Sequence, residues 1–204
     1  MKRRLVVLAL AAPLLLGACG TDTSKDAAAP ASAVAQTQNV KNVSEITAGA
    51  TFNDTDVMFL QMLVDNQEQG LEMVEIAAKR AQRPEIVELA QAVQATQKDE
   101  ITMMKNWLTE WGKPTTVDKR VSLHADHGGL PSTGEEEIES LRTIKDKKFE
   151  TAFLNLFLAH QHNAIEVADL EIDKGGNELA KQFAERVKQS RADQVQQMLK
   201  LLAG

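Results

Sequence analysis

The side chains of this 204-residue sequence best suited to holding a metal are its four histidines, its methionines and one cysteine. His124 and His127 form a His-x-x-His pair that runs into Gly128-Gly129. Two imidazoles so close bind Cu(II), Zn or Ni, though weakly unless other ligands are fixed beside them. His162 shares a helical face with Glu166 and Asp169 at i, i+4 and i+7. That spacing holds a metal through one imidazole and carboxylates, and it is equally the pattern of a solvated helix face. Thioethers suit Cu(I), so Met62, Met73 and Met104 are candidate soft neighbours of a copper site whose imidazoles are His160, His124, His127 and His162. At helical spacing methionines also serve as core filler.

The cysteine, Cys19, points to different chemistry. Met1-Lys2-Arg3-Arg4 is a basic start, Leu5 to Leu16 is an apolar run broken only by Pro13, and Leu16-Gly17-Ala18-Cys19 follows. The run is too short to span a bilayer and has the layout of a cleavable signal. Leu-Gly-Ala-Cys resembles the lipobox of bacterial lipoproteins, in which the thiol is acylated and the preceding peptide removed. The resemblance implies a signal peptide over 1–18 and a membrane anchor at Cys19, in the cell envelope with the domain outside the cytoplasm. Acyl chains contribute about 0.8 kcal/mol per buried methylene, so several hold stably. With one cysteine there is no intramolecular disulfide and no Cys-rich zinc site.

These residues need a scaffold, and composition favours helices. Leu, Ala, Val, Glu, Gln and Lys dominate and Tyr is absent. Without Lys2, Arg3 and Arg4 the formal charge is about −9, which argues against nucleic acid, since phosphate contacts need clustered cations. Residues 19–50, rich in Ala, Thr, Ser and Gln, read as a flexible tether. Residues 51–204 are an ordinary length for one domain.

That domain repeats itself. A shift of 94 positions places Phe59-Leu60 on Phe153-Leu154, Gln67 on Gln161, Glu72 on Glu166, Ala90 on Ala184, Val93 on Val187, Asp99 on Asp193, Met104 on Met198 and Leu108 on Leu202. Two unrelated amphipathic helices share a period but not register across two helices and a turn. Each copy, about 53–112 and 147–204, reads as helix, turn, helix. Arg83-Pro84 restarts the first copy after a break, Gly175-Gly176 breaks the second, and Gly112-Lys113-Pro114 stops the first. The linker 113–146 ends in a short helix opened by Glu135-Glu136-Glu137, which suits a helix N-terminus. The expected architecture is an all-α four-helix bundle.

On a helical wheel His160 and Gln161 fall within the apolar stripe of Phe153, Leu156, Phe157, Ala164, Val167 and Ala168, and Asn66 and Gln67 take the equivalent places in the first copy. Four polar groups are thus expected inside the bundle. Burying them without partners costs a few kcal/mol each, so they either hydrogen-bond as a layer that fixes register or bind something.

The stretch Phe153 to Ala168 resembles the signature Phe-Leu-x-x-Met-Ile-x-His-His-x-x-Ala-Ile-x-Met-Ala of the "domain of unknown function 305" family. Gln97 to Leu108 matches its Gln-x-x-Glu-Ile-x-x-Met-x-x-Trp-Leu, and His124 to Pro131 is similar to its His-x-x-His-Gly linker before a Pro. The resemblance covers about 53–204. It implies a ferritin-like duplicated hairpin and, for some members, copper handling in the envelope. The family's paired histidines fall here on His160 and Gln161, and on Asn66 and Gln67, so one of four remains. A di-iron enzyme needs Glu-x-x-His on two helices, and no Glu stands three residues before a His. No nucleophile motif is present either. The expectation is a non-enzymatic envelope lipoprotein that binds a transition metal such as copper or, alternatively, is a non-metal helical binding or scaffold module held at the membrane.

Overall fold

The computed structural model describes residues 46–120 and 132–204. The expected signal peptide, Cys19, most of the expected tether, and His124 and His127 lie outside the described residues. Five helices follow in order: α1 (Asp54–Arg80), α2 (Pro84–Glu110), α3 (Glu135–Thr143), α4 (Asp146–Lys174) and α5 (Glu178–Ala203). Among the described residues there is no strand, and no helix is long and apolar enough to cross a membrane.

Local chemistry sets the helix ends. Asn53 caps α1, its side chain accepting from the amides of Thr55 (2.8 Å) and Asp56 (3.1 Å), while the Asp56 carboxylate accepts from the Asn53 amide. This is a reciprocal capping box. Pro84 opens α2 without losing a bond. Gly112, at φ 64°, closes α2 in the left-handed region, and the Lys113 amide returns to the Leu108 carbonyl at 2.8 Å. Asn177 caps α5 through the amides of Leu179 and Ala180.

Helices α1 and α2 form one hairpin, α4 and α5 the other, and the hairpins join mainly through α1 against α4, with α3 beside both. The apolar interior has two parts. One gathers Phe59, Leu63, Met104, Trp107, Ala168 and Phe183, and the other Met73, Ile86, Leu89, Phe149, Phe153 and Met198. The start of α1 therefore packs with the end of α4 and the reverse, so the two helices run antiparallel. The 94-residue shift carries Phe59 to Phe153, Leu89 to Phe183 and Met104 to Met198, exchanging one apolar cluster for the other. Duplication thus built a pseudo-two-fold bundle.

The last residues of the stretch read as a tether behave differently from a free linker. Residues 46–53 form a strap along the bundle end, with Ala48 buried. The indole N–H of Trp111 donates to the Gly49 carbonyl at 2.7 Å, that of Trp107 donates to the Ile46 carbonyl, and the Asn177 amide donates to the carbonyls of Ala48 (2.9 Å) and Thr51 (2.7 Å). Polar composition hid this, because the holding groups belong to distant helices.

Candidate functional site

Between the two apolar clusters every long helix contributes polar residues at one level: Asn66 and Gln67 from α1, Gln97 and Glu100 from α2, His160 and Gln161 from α4, Arg191 and Gln194 from α5. Asn66, Gln67, Gln97, His160, Gln161 and Arg191 are all buried. The 94-residue shift maps this layer onto itself, pairing Asn66 with His160, Gln67 with Gln161, Gln97 with Arg191 and Glu100 with Gln194. The pseudo-two-fold axis therefore passes through the layer.

Its bonds follow that symmetry. The Gln67 amide donates to Glu100 Oε2 at 2.7 Å, and the Gln161 amide donates to Gln194 Oε1. Each α1 or α4 glutamine thus turns to its own hairpin partner, so Gln67 and Gln161 do not converge on one point. Asn66 and His160 do meet, the Asn66 amide reaching the His160 carbonyl at 3.5 Å. The hairpins are then tied by charge, since the Arg191 guanidinium donates to Glu100 Oε2 at 2.6 Å.

The His160 ring continues a ladder of stacked aromatics on α4, Phe149, Phe153 and Phe157, with its centroid 5.6 Å from that of Phe157. Its Nδ1 lies 2.8 Å from the Thr133 hydroxyl, and the Thr133 amide donates to Gln69 Oε1 at 2.9 Å. The end of the linker is thus fastened over the imidazole. Its Nε2 has no hydrogen-bond partner, nor has either polar atom of the Gln97 amide. Both side chains crowd the bare backbone of Gly70, where a Cβ would come within 2.9 Å of His160 Nε2 and of Gln97 Oε1. Burial, and then the Arg191 guanidinium, push the imidazole down to about 3, so it is neutral at pH 7.

A cleft of about 440 Å³ runs between α2 and α5, lined by Ala95, Thr96, Asp99, Glu100, Phe183, Arg186 and Ser190. It reaches the outer side of Glu100, while His160 is not among its walls.

The other candidate ligands are dispersed. Met62 and Met104 lie in one apolar cluster and Met73 in the other, all buried as packing. His162 is exposed. Its expected partner Asp169 is engaged by Lys188 at 2.6 Å, and among the described residues no three His, Cys, Asp or Glu side chains gather as a metal would need. The His162–Glu166–Asp169 set is therefore a solvated face, for the ordinary reason that a nearby lysine neutralises its carboxylate. Gln97, Glu100, Arg191 and Gln194 were not singled out as interior residues from the sequence. A usable signal exists: Gln97 stands four residues from Val93 and from Ile101, and Arg191 four from Val187 and from Val195. Each is thus embedded in an apolar stripe.

Residues 56–202 match the family model described as "Domain of unknown function (DUF305)". The chain belongs to the DUF305 family. Solved structures share its fold. A DUF305 protein of Streptomyces coelicolor, named as a secreted protein, is 24% identical, with a TM-score of 0.66 over 73% of this chain and 91% of that one. A DUF305 fragment from Deinococcus radiodurans is 20% identical, with a TM-score of 0.65 over 74% of this chain and 97% of its own. CopM in its Cu(I)-bound form is 22% identical, with a TM-score of 0.57 over 72% of this chain and 94% of that one. No curated protein matches. At these identities the DUF305 neighbours establish the all-α fold.

Proposed function

We propose that this DUF305 chain is a non-enzymatic envelope lipoprotein, anchored by acylated Cys19 with its domain outside the cytoplasm, that contacts a copper-class metal through the linker histidines His124 and His127 and not through the bundle interior. One observation carries the choice between these places. The buried imidazole of His160 is capped at Nδ1 by Thr133 and stands near the Arg191 cation. Around it are carboxamides, which are weak ligands for transition metals. The one carboxylate of the layer, Glu100, is already held by Arg191 and Gln67, so His160 would be a single strong ligand there and these residues do not fit copper. Copper as the metal class draws on CopM, solved in Cu(I)- and Cu(II)-bound forms on the same fold, and on the His-x-x-His spacing.

The second reading is a helical binding or scaffold module without metal. It is favoured by the polar layer itself, whose amides and Glu100–Arg191 ion pair join the hairpins through protein groups. Titration of the acylated chain in detergent with Cu(I), Cu(II) and Zn separates the two. The expected result is binding that vanishes in the His124→Ala/His127→Ala double variant and persists in His160→Asn. Loss in His160→Asn alone would return the site to the interior. Affinity no better than that of a single surface imidazole would leave the scaffold module. The anchor is tested separately by membrane fractionation of Cys19→Ala, which is expected to release the chain from the membrane.

A further inference from the structure

The bundle end that carries the strap holds two buried carboxyl groups, and the bonding around them is unequal. Asp56, fully buried, accepts from the amides of Asn53 (2.6 Å), Gly176 (3.0 Å) and Asn177 (2.8 Å). These donors satisfy both of its oxygens. Glu171, equally buried, receives no N–H or hydroxyl donor at either oxygen. Its carboxyl is tucked under the α4–α5 turn, where a Cβ on Gly175 would fall 2.2 Å from Oε1. A buried carboxylate without donors beside a second carboxylate is strongly disfavoured, and a carboxylic acid that donates to its neighbour is not. The proton belongs on Glu171.

We propose that this end of the bundle is a proton-held latch, in which Glu171 donates its proton to the Asp56 carboxylate and loss of that proton releases the 46–53 strap. The connection is short. Asp56 positions the Gly176 and Asn177 backbone, and the Asn177 amide holds the carbonyls of Ala48 and Thr51. The Asn53 amide holds the Lys174 carbonyl at 2.9 Å. Two facing negative charges would push apart the elements that these bonds join. Burial first, and then Asp56, push the Glu171 carboxyl up to about 9, with Lys181 on α5 opposing. On α2 the nearest charge to the strap is Glu110, whose carboxylate accepts from the Ala48 amide at 3.3 Å. The strap itself, Ile46 to Asn53, has no ionisable side chain. The latch is independent of the metal reading.

The protein carries its own reporters. Its two tryptophans, Trp107 and Trp111, both donate to strap carbonyls, and Phe52 of the strap stacks on Trp111 at 4.5 Å. With no tyrosine in the chain, alkaline tyrosinate does not quench them. Tryptophan emission and far-UV circular dichroism of the full chain should be followed from about pH 6 to about pH 10. The expected result is a red shift in emission, centred in the alkaline range, before helicity is lost. In Glu171→Gln, which mimics the protonated acid, that shift should disappear. A shift that persists in Glu171→Gln would belong to another group and would overturn the latch, as would a wild-type emission that stays constant. Should Glu171→Gln fail to fold, Asp56→Asn decides: removing the neighbouring charge must move the midpoint to lower pH, and an unmoved midpoint rejects the proposal.

Discussion

The two hairpins share a backbone plan and differ where their interiors are polar. At equivalent places the first has Asn66, Gln97, Glu100 and Gly70, and the second has His160, Arg191, Gln194 and Ala164. The apolar positions diverge conservatively, Leu63 against Phe157 or Leu89 against Phe183. The polar slots diverge in charge. After duplication, one half took the acid and the other the base, and the Glu100–Arg191 bond now joins halves that were once identical. Symmetry supplies the slots; asymmetry decides what they do. In this chain it places an ion pair across slots that the repeat makes equivalent.

That comparison predicts its own largest perturbation. Arg191→Gln restores the residue type of Gln97 but takes the cation from Glu100, a partly buried carboxylate left with the Gln67 amide as its donor. Breaking a fully buried pair by removing one partner costs about 3–5 kcal/mol, and the cleft and the Gln67 donor place this loss towards or below the lower end. Glu100→Gln added to Arg191→Gln recreates a neutral layer with Gln at both pairs of slots. It should recover most of the loss, because replacing both partners of a buried pair is often near neutral. Urea denaturation of the two variants measures both numbers. Equal destabilisation of the single and double variants would mean that the ion pair is not what joins the hairpins.

Gly70 is the next largest. Its counterpart Ala164 carries the Cβ that Gly70 lacks, and the space is taken by His160 Nε2 and Gln97 Oε1. Gly70→Ala should cost about 1–3 kcal/mol through overpacking, partly offset by better helix propensity. Combining it with His160→Asn, the first hairpin's own residue, should cost less than Gly70→Ala alone. The two variants are compared by thermal melting.

His160 also sets an acid limit that Asn66 cannot. Its pKa lies at about 3 in the folded chain and about 6.5 when unfolded. Between those values the unfolded chain binds the proton and the folded chain does not, so stability is full above about pH 6.5 and is lost as pH falls towards 3. Glu171 acts in the opposite sense. Its pKa is raised to about 9 from about 4.5, so its contribution is full below that unfolded value and is lost as pH rises towards 9. The slopes, each at most about 1.4 kcal/mol per pH unit, oppose one another between about 4.5 and 6.5. These two groups therefore predict a plateau there with a decline on either side. His160→Asn should flatten the acid side alone. Denaturation midpoints over a pH series test this, and an unchanged acid slope in His160→Asn would assign it to carboxylates elsewhere.

Much of this was legible in the sequence and some was not, for identifiable reasons. The 94-residue shift gives the duplication, and Pro84, Gly112 and Gly175-Gly176 give the helix ends to within a few residues, because apolar period and backbone chemistry are local signals. Asn66, Gln67, His160 and Gln161 could be placed inside from one helix wheel each. Which partner each would take could not, since that depends on how hairpins meet. Arg191 looks like a surface cation until its position is compared with Gln97. Glu171 is the harder case. Its counterpart is Ala77, so the repeat gives no warning of a buried acid, and its meaning comes from Asp56, more than a hundred residues away.

The smallest predicted effect tests whether the two halves still support each other equally. Asp56, at the start of α1, accepts from the amides of Gly176 and Asn177 in the turn of the second hairpin. Glu150, its counterpart on α4, accepts from the amides of Gln82 (2.7 Å) and Arg83 (2.8 Å) in the turn of the first. Each hairpin thus caps the other's turn with a carboxylate, an exchange that only a closed two-fold arrangement permits. The bonds match but the settings do not. Asp56 is fully buried, whereas Glu150 is half-buried, and water can replace what Glu150 supplies. Glu150→Ala should therefore cost about 0.5–1 kcal/mol, near the low end for loss of a capping side chain. Amide exchange should quicken at Gln82 and Arg83 and stay unchanged at Gly176 and Asn177. Quickening at both turns would mean that the caps act as one cooperative unit across the pseudo-two-fold axis, not as two independent local bonds.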